Sequence, residues 1–394
     1  MSGHLVDLFG ASHAITVFLI GIVTFILDTI AAAIPPLGFL ESLADLLRWD
    51  PLVVLITWIV AITLMITWAA ILHLLTMIWL ERKVVARLQD RRGPMLSQPL
   101  KGFWFKGTGF FQQIADGLKL LQKENITPAA ADRIMFHVAP AFLIASTVLV
   151  LAALPFSEGF VVANVPAGIL LIIAAFSLTP LAILLASWSQ NNKYALLGGM
   201  RAAAMMMSYE IPMILATIGV IVLAGSLNPI DIVRAQSEPS IIGPLANSGL
   251  RNWFIIPQFL GFFVFILAMI AETERVPFDL PEAEEELVHG WLVEYGGMRY
   301  GMVFGFKWLR TFVGAALVAL LFLGGWDGPI LPQEIWFILK VYFVFFIFVW
   351  ISWSVPRIRI DQILSIGWRK LIPLCLLNLL IAVLVVTASS NGWI

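Results

Sequence analysis

Residues 204–225 read AMMMSYEIPMILATIGVIVLAG, and a single charge, Glu210, interrupts them. The run exceeds the ~20 apolar residues that a helix needs to cross a hydrocarbon core. Similar runs lie on both sides, at about 54–80, 135–155, 165–187, 253–271, 308–325, 335–353 and 371–389. Over 394 residues, 60% are hydrophobic and 12% charged, with a mean hydropathy of +0.93. A soluble domain carries about a quarter charged residues, so this chain is short of the polar surface that water requires. It is predicted to be an all-α, polytopic membrane helical bundle of eight spans. A further apolar run, 14–34, ends at Pro35-Pro36 and is expected as an extra N-terminal helix. Asp28 within it would cost roughly a few kcal/mol at depth without a partner. Residues 39–48, FLESLADLLR, read as a short amphipathic helix at the interface. The expected organisation is an N-terminal extra segment over 1–50 and a membrane domain over 51–394.

Loop charge orients the bundle. Loops after the first, third, fifth and seventh spans hold nearly all the loop Lys and Arg, with ten in 81–134 and four in 357–370. Loops after the second and sixth hold none, and the fourth only Arg234 and Arg251. By the positive-inside rule the odd-numbered loops are cytoplasmic. Two of them, about 50 and 35 residues long, exceed simple turns, and loops of that length in a compact protein are usually functional. The first is basic. The second holds eight carboxylates, Glu272, Glu274, Asp279, Glu282, Glu284, Glu285, Glu286 and Glu294. A basic and an acidic loop on one face offer a docking place for an electron-carrying partner.

Cysteine and histidine usage excludes resident redox or zinc centres. Cys375 is the single cysteine, and His4, His13, His73, His137 and His289 are scattered, so no disulfide, Cys-ligated cluster or HExxH site can be built within the chain. His73, inside an apolar run, reads as a packed side chain. Any redox centre belongs to a partner or arrives as a diffusible carrier. No metal site and no nucleic-acid partner are expected. The first apolar run lacks the basic flank of a cleavable signal peptide.

Four segments hold residues suited to chemistry. ERKVVARLQDRRGP (81–94) places Glu81, Arg82 and Arg87 within two helical turns, where charges three and four apart pair; it also suits a snorkelling interfacial anchor. Downstream, QQIADGLKLLQKENITPAAADR (112–133) sets Asp116, Lys119, Lys123 and Glu124 at the spacing of an amphipathic surface helix. In NNKYALLGGMRAAAMMMSYEIPM (191–213), Glu210 lies inside a span beside Tyr209. Ionisable residues at membrane depth usually face a partner or a wet path, and a buried carboxyl with a raised pKa can hold and release a proton. A paired structural carboxylate is the plainer reading. Met205, Met206 and Met207 read as packing.

The third segment, AETERVPFDLPEAEEELVHGWLVEYGGMRYG (271–301), frames a turn at Asp279 between two prolines. A carboxylate-rich helix is predicted to follow, with Glu282, Glu285 and Glu286 on one face. Like charges so close resist full ionisation. The interleaved Val276, Phe278, Leu280, Leu287, Val288 and Trp291 predict a loop folded back on the membrane domain. In the fourth, SVPRIRIDQILSIGWRKLIPL (354–374), Arg357, Arg359 and Asp361 suit either a charged latch on the acidic loop or a positive-inside anchor. Residue chemistry alone fits a proton-coupled machine or a transporter.

Together, and in this order from about residue 54 to 389, these segments resemble the quinone-chamber membrane subunit of the complex I family, in its bacterial, mitochondrial and archaeal forms. ERKVVARLQDRRGP resembles the family's first-loop signature and IADGLKLLQKE its second. SYEIP is similar to its tyrosine–glutamate pair and AETERVPFDLPEAEEELV to its proline-framed acidic loop, while PRIRIDQ followed by GW completes the set. The resemblance implies a translocase subunit of a proton-pumping NADH (or other donor):quinone oxidoreductase in a prokaryotic cell membrane. It implies no cofactor bound by this chain: lipid quinone is the substrate, and iron–sulfur clusters and flavin belong to partners. Those partners are hydrophilic-arm, antiporter-like and small membrane subunits.

The same resemblance implies a quinone chamber touched by Glu81, Arg82, Arg87, Arg91, Asp116, Lys119, Arg201, Arg275 and Phe278. It also implies a proton relay of Glu210, Glu272, Asp279, Glu282, Glu284 and Glu286. The chain departs from the family pattern at Glu274, where Asn is usual, at Glu285, where Ser is common, and at Met205, where Gln is expected. MLSQPLKGFWFKGTG (95–109) is longer than usual, and the first apolar run is extra. Two other assignments compete. A hydrogenase-type or archaeal complex would use the chain as an anchor with a non-quinone carrier, although hydrogenase anchors generally lack PFDLPEAExEL. A free-standing transporter often shows repeat symmetry, and no repeat is visible.

Overall fold

Two polar side chains start two of the long helices. Asp132 Oδ1 accepts from the N–H groups of Ile134 (3.1 Å) and Met135 (3.2 Å), and Asn192 Oδ1 accepts from Tyr194 N–H at 3.0 Å. These acceptors satisfy donors that a helix N-terminus leaves free. The computed structural model describes residues 75–95, 109–159, 161–237, 252–329 and 331–390. Its elements are α1 (75–88), α2 (Gln112–Gln122), α3 (Arg133–Ala153), α4 (Gly168–Ser189), α5 (Lys193–Ala224) and α6 (Pro229–Ser237). There follow α7 (Phe259–Glu272), a four-residue α8 (Glu284–Leu287), α9 (Gly297–Phe322) and α10 (Gln333–Ser354). The last unit is α11 (Ile360–Ser365), a π-helical turn (Ile366–Leu371) and α12 (Ile372–Ser390).

Among the described residues there is no strand. Six helical units, α3, α4, α5, α9, α10 and the α11–α12 unit, are long and apolar enough to cross a membrane, and α7 is a shorter apolar helix. The predicted polytopic helical bundle is what the chain forms. The run at 14–34, the interfacial helix at 39–48, His73 and most of the first span lie outside the described residues.

α9 is the axis. From Leu309 to Phe322 no side chain is more than 8% exposed, and α10, α3, α2, α7 and α6 all pack on it. Within a bilayer this packing is held by van der Waals contact and interhelical hydrogen bonds, because lipid is as apolar as the side chains. α12 lies at the outside, with Leu376, Leu377, Leu380 and Leu384 exposed. The π turn is pressed on α5: Tyr209 OH donates to Ile363 O (3.1 Å), Trp368 Nε1 donates to Ser208 Oγ (3.1 Å), and a Cβ on Gly367 would lie 3.2 Å from Ser208 O.

The acidic loop folds back through Phe278, Leu280, Leu287 and Trp291, all buried, whereas Val288, also expected to face the membrane domain, is 60% exposed because it sits at φ 66° just after α8. Trp291 is fully buried, and Tyr295 stacks on Phe136 with centroids 4.4 Å apart. Gly198 of α5 leaves room for this, since a Cβ there would come within 2.7 Å of Trp291 N. Several boundaries differ from expectation: α1 runs on through 81–88, and the last helical unit begins at Ile360 rather than 371. α5 begins at Lys193 rather than 204 and α9 at Gly297 rather than 308, because a hydropathy run stops at Arg201 and Lys307 while the backbone does not. The run at 253–271 is helical only from Phe259, since residues before it form turns tied to their neighbours, with Ile255 N–H donating to Phe322 O at 3.0 Å.

Candidate functional site

The acidic loop leaves α7 at Glu272 and meets α9 where that helix carries Lys307 and Arg310, three residues apart and so on one face. Arg310, with 2% of its side chain exposed, pairs with the equally buried Glu272. Lys307 serves two carboxylates, with Nζ 2.9 Å from Glu274 Oε2 and in direct contact with Glu282. Arg275 reaches across to α1, where its Nη1 lies 2.8 Å from Glu81 Oε2. Its guanidinium also sits 4.8 Å from the centre of the Trp308 ring. Arg357 holds Asp279 at 3.1 Å. Between α4 and α5, Ser177 Oγ donates to the half-buried Glu210, which lies within electrostatic reach of both Glu272 and Arg310.

Backbone geometry aims one of these groups. Glu274 has φ 51°, in the left-handed region, where a long side chain costs about 1 kcal/mol. Burial pushes the Glu274 carboxyl above its ordinary pKa, with Lys307 opposing. Burial also raises Asp279, against Lys307 and Arg357. The groups enclose a cavity of about 200 Å³ lined by Glu81, Glu274, Arg275, Asp279, Glu282 and Lys307, with Trp308 and Trp353 as apolar walls. Beside it an apolar groove of about 240 Å³ runs between α1, α2 and α9, lined by Leu75, Ile78, Leu120 and Phe304, with Arg82 and Asp116 at its polar edge. A sequence model described as NADH dehydrogenase matches residues 59–383. The chain belongs to the NADH dehydrogenase family.

Curated relatives agree over the same length. It is 45% identical over 309 residues to the H subunit of the NADH-quinone oxidoreductase of Anoxybacillus flavithermus, covering 77% of this chain and 87% of that protein. To the H subunits of the same enzyme from two strains of Dehalococcoides mccartyi it is 42% identical over 311 residues (79% and 82% covered) and 41% over 321 (82% and 85%). The family likeness of the four segments thus extends over most of the chain.

Within this family member, the structure spreads the predicted residues over three cavities and leaves several outside all of them. Glu81, Arg275, Asp279 and Glu282 line the polar cavity, while Glu272 is buried on Arg310 and Glu210 is half-buried on Ser177. Phe278 is buried edge-on to Tyr209, centroids 5.0 Å apart. Arg82 and Asp116 pair at 2.8 Å beside the apolar groove. Arg201 pairs with Glu286 at a separate surface cleft of about 340 Å³, with Arg357, Arg359 and Asp361. Arg87, Arg91 and Lys119 are exposed and line none of these cavities. Glu284 opens α8.

Two expected pairings give way to longer-range ones. Glu81 and Arg82 do not pair locally with Arg87's stretch; tertiary partners, Arg275 and Asp116, take them instead. Glu282 and Glu286 do not share a helical face, because α8 is only four residues long and begins after Glu282. They meet different cations, Lys307 and Arg201. The latch is half realised: Arg357 holds Asp279, while Arg359 turns to Asp361 at 3.4 Å. Sequence reasoning missed Lys307 and Arg310. Their signal is two cations one turn apart within an apolar stretch of helix, the costly arrangement that needs buried partners. Among the described residues no cluster suits a metal ion.

Proposed function

We propose that this chain is the membrane subunit of an NADH-quinone oxidoreductase and forms the wall of its quinone chamber. One observation carries the reading: neighbours on α1, Glu81 and Arg82, face the ionisable cavity and the apolar groove respectively. A lipid quinone has the matching two parts, an apolar tail and a polar headgroup. Reduction to quinol consumes two electrons and two protons. On this reading the electrons come from iron–sulfur clusters on a partner arm docked at the cytoplasmic face of a prokaryotic cell membrane. The protons draw on the carboxylates of the cavity.

The second part of the proposal is coupling. Glu282, Glu272 and Glu210 form a series leading from the cavity into α5, with Lys307 and Arg310 between them. A change in headgroup charge alters proton affinity along the series and hands that change to neighbouring antiporter-like subunits. Photo-crosslinking with a quinone analogue in native membranes tests the chamber: labelling of 75–95, 112–122 or 272–294, with an iron–sulfur arm co-purifying, is expected. An attached arm without labelling would instead favour an anchor for a non-quinone carrier. For coupling, Glu282→Gln and Glu210→Gln are expected to reduce quinone turnover while the soluble arm still reduces artificial acceptors. Equal loss of both activities would mean an assembly defect.

A further inference from the structure

Charges around the cavity do not balance one to one. Glu81 has Arg275, Asp279 has Arg357, and Glu272 has Arg310. Glu274 and Glu282 divide the single ammonium of Lys307 between them. All three members of this triad are enclosed: 2% of the Glu274 side chain is exposed, and 16% of Lys307 and of Glu282. An unmatched buried carboxylate is far more costly than a buried carboxylic acid, so such a site takes up a proton instead.

From this geometry we infer that Glu274 is a further proton-holding residue of the cavity, acting with Lys307 and Glu282 as a triad that carries one proton between two carboxyl groups. The inference rests on the relay reading above and adds to it a group outside the expected relay.

Placement separates the roles of the two carboxyls. Glu282 touches Lys307 directly and lines the cavity. Glu274 is the more deeply buried. Apart from the Lys307 contact, neither of its oxygens is hydrogen-bonded among the described residues. Burial raises its proton affinity. The groups facing it are Lys307 and Arg310 of α9, Glu81 of α1, and Glu272, Arg275, Asp279 and Glu282 of its own stretch. When the proton passes from Glu274 to the Glu282 carboxylate, one O–H bond breaks and another forms, and the ammonium of Lys307, in contact with both, stays opposite the one remaining negative charge. A proton from solvent restores the acid.

Glu274→Asn tests the assignment in the intact complex, because Asn is at ease at φ 51° and removes only the carboxyl. Infrared spectra of the parent are expected to show a protonated-carboxyl band near neutral pH that fades as pH rises. Glu274→Asn should abolish this band, and Glu282→Gln should shift it. Quinone turnover should fall roughly tenfold or more in Glu274→Asn, and the alkaline limb of its pH profile should move or vanish. Glu274→Gln, which imitates the protonated acid, should also lose that limb. A band that survives Glu274→Asn, or an unaltered pH profile with only a lower melting temperature, overturns the inference. If Glu282→Gln keeps full quinone turnover, the relay itself fails and the inference with it. If Glu282→Gln is inactive while Glu274→Asn keeps the band and the profile of the parent, only the role of Glu274 fails.

Discussion

The two ends of the bundle are polar in different ways. The end that bears the acidic loop is built from ions, Glu272, Glu274, Asp279 and Glu282 against Lys307, Arg310 and Arg357. At the opposite end the ions Arg234, Glu158 and Asp231 lie exposed at the surface, and the buried polar contacts are made largely by amides. Gln236 Oε1 accepts from Gly324 N–H at 2.9 Å while its Nε2 donates to Leu320 O at 2.9 Å. Asn378 Oδ1 accepts from Gly261 N–H at 3.0 Å and its amide donates to Gln258. A deep cation there, Lys340, is tied to the carbonyls of Leu323 and Asp327, both at 2.7 Å, where α9 ends, a place its charge suits. Amides keep one protonation state throughout the physiological range. Ion clusters with more carboxylates than cations do not. One end is fitted to hold helices in register, and the other to change its charge.

The largest effect should come from Lys307→Met, which leaves Glu274 and Glu282 without their shared cation. Stripping one partner from a buried ion pair costs about 3–5 kcal/mol, and the variant should fail to assemble or melt far below the parent. A parent-like melting curve would mean that the ionic end is not held by its charges. Next comes Asn378→Leu, which orphans the Gly261 N–H and the Gln258 carbonyl at about 1–3 kcal/mol. Its melting temperature should drop, yet the shape of the pH–activity profile should stay that of the parent. An altered profile would erase the contrast between the ends.

A third measurement is the pH dependence of stability. Burial holds Glu274 and Asp279 above the usual carboxylate range, so the folded chain keeps protons that the unfolded chain releases. Their contribution is complete below the ordinary carboxylate pKa and is lost as pH climbs through the raised folded values. The melting temperature should therefore fall with rising pH across that window. The slope should be shallower in Glu274→Asn and unchanged in Asn378→Leu. The smallest effect belongs to the rim: Arg82→Ala should raise the quinone KM more than Arg87→Ala, since only Arg82 borders the apolar groove.

The helices were legible because long apolar runs leave the chain few alternatives, and Asp132, Asn192 and Gly225 (φ 69°) punctuate them where such residues are at home. The acidic loop was legible too, through its prolines and its alternation of Val276, Phe278 and Leu280 with charge. The cations that organise it were not. A hydropathy window averages Lys307 and Arg310 into the loop or into the span, and their partners lie more than twenty residues away in sequence, where no helical spacing rule reaches. The same distance hid the Arg82–Asp116 pair. Local rules propose local partners; in this bundle the fold supplies better ones.

The π-helical turn at Ile366–Leu371 has a genetic consequence. Such a turn accommodates one residue beyond the α-helical count, and here it sits between Ile363, which receives Tyr209, and Asn378, which caps α7. Loss of one codon within 366–371 would restore a regular α-helix and leave the residues after it facing their present partners. One codon lost between 372 and 377, where no such turn absorbs it, would instead rotate Asn378 by about 100°, away from Gly261 and Gln258, with no change of residue type anywhere. The turn is thus the place in this helix where a change of length is absorbed, while Gly367 and Trp368 hold it on α5.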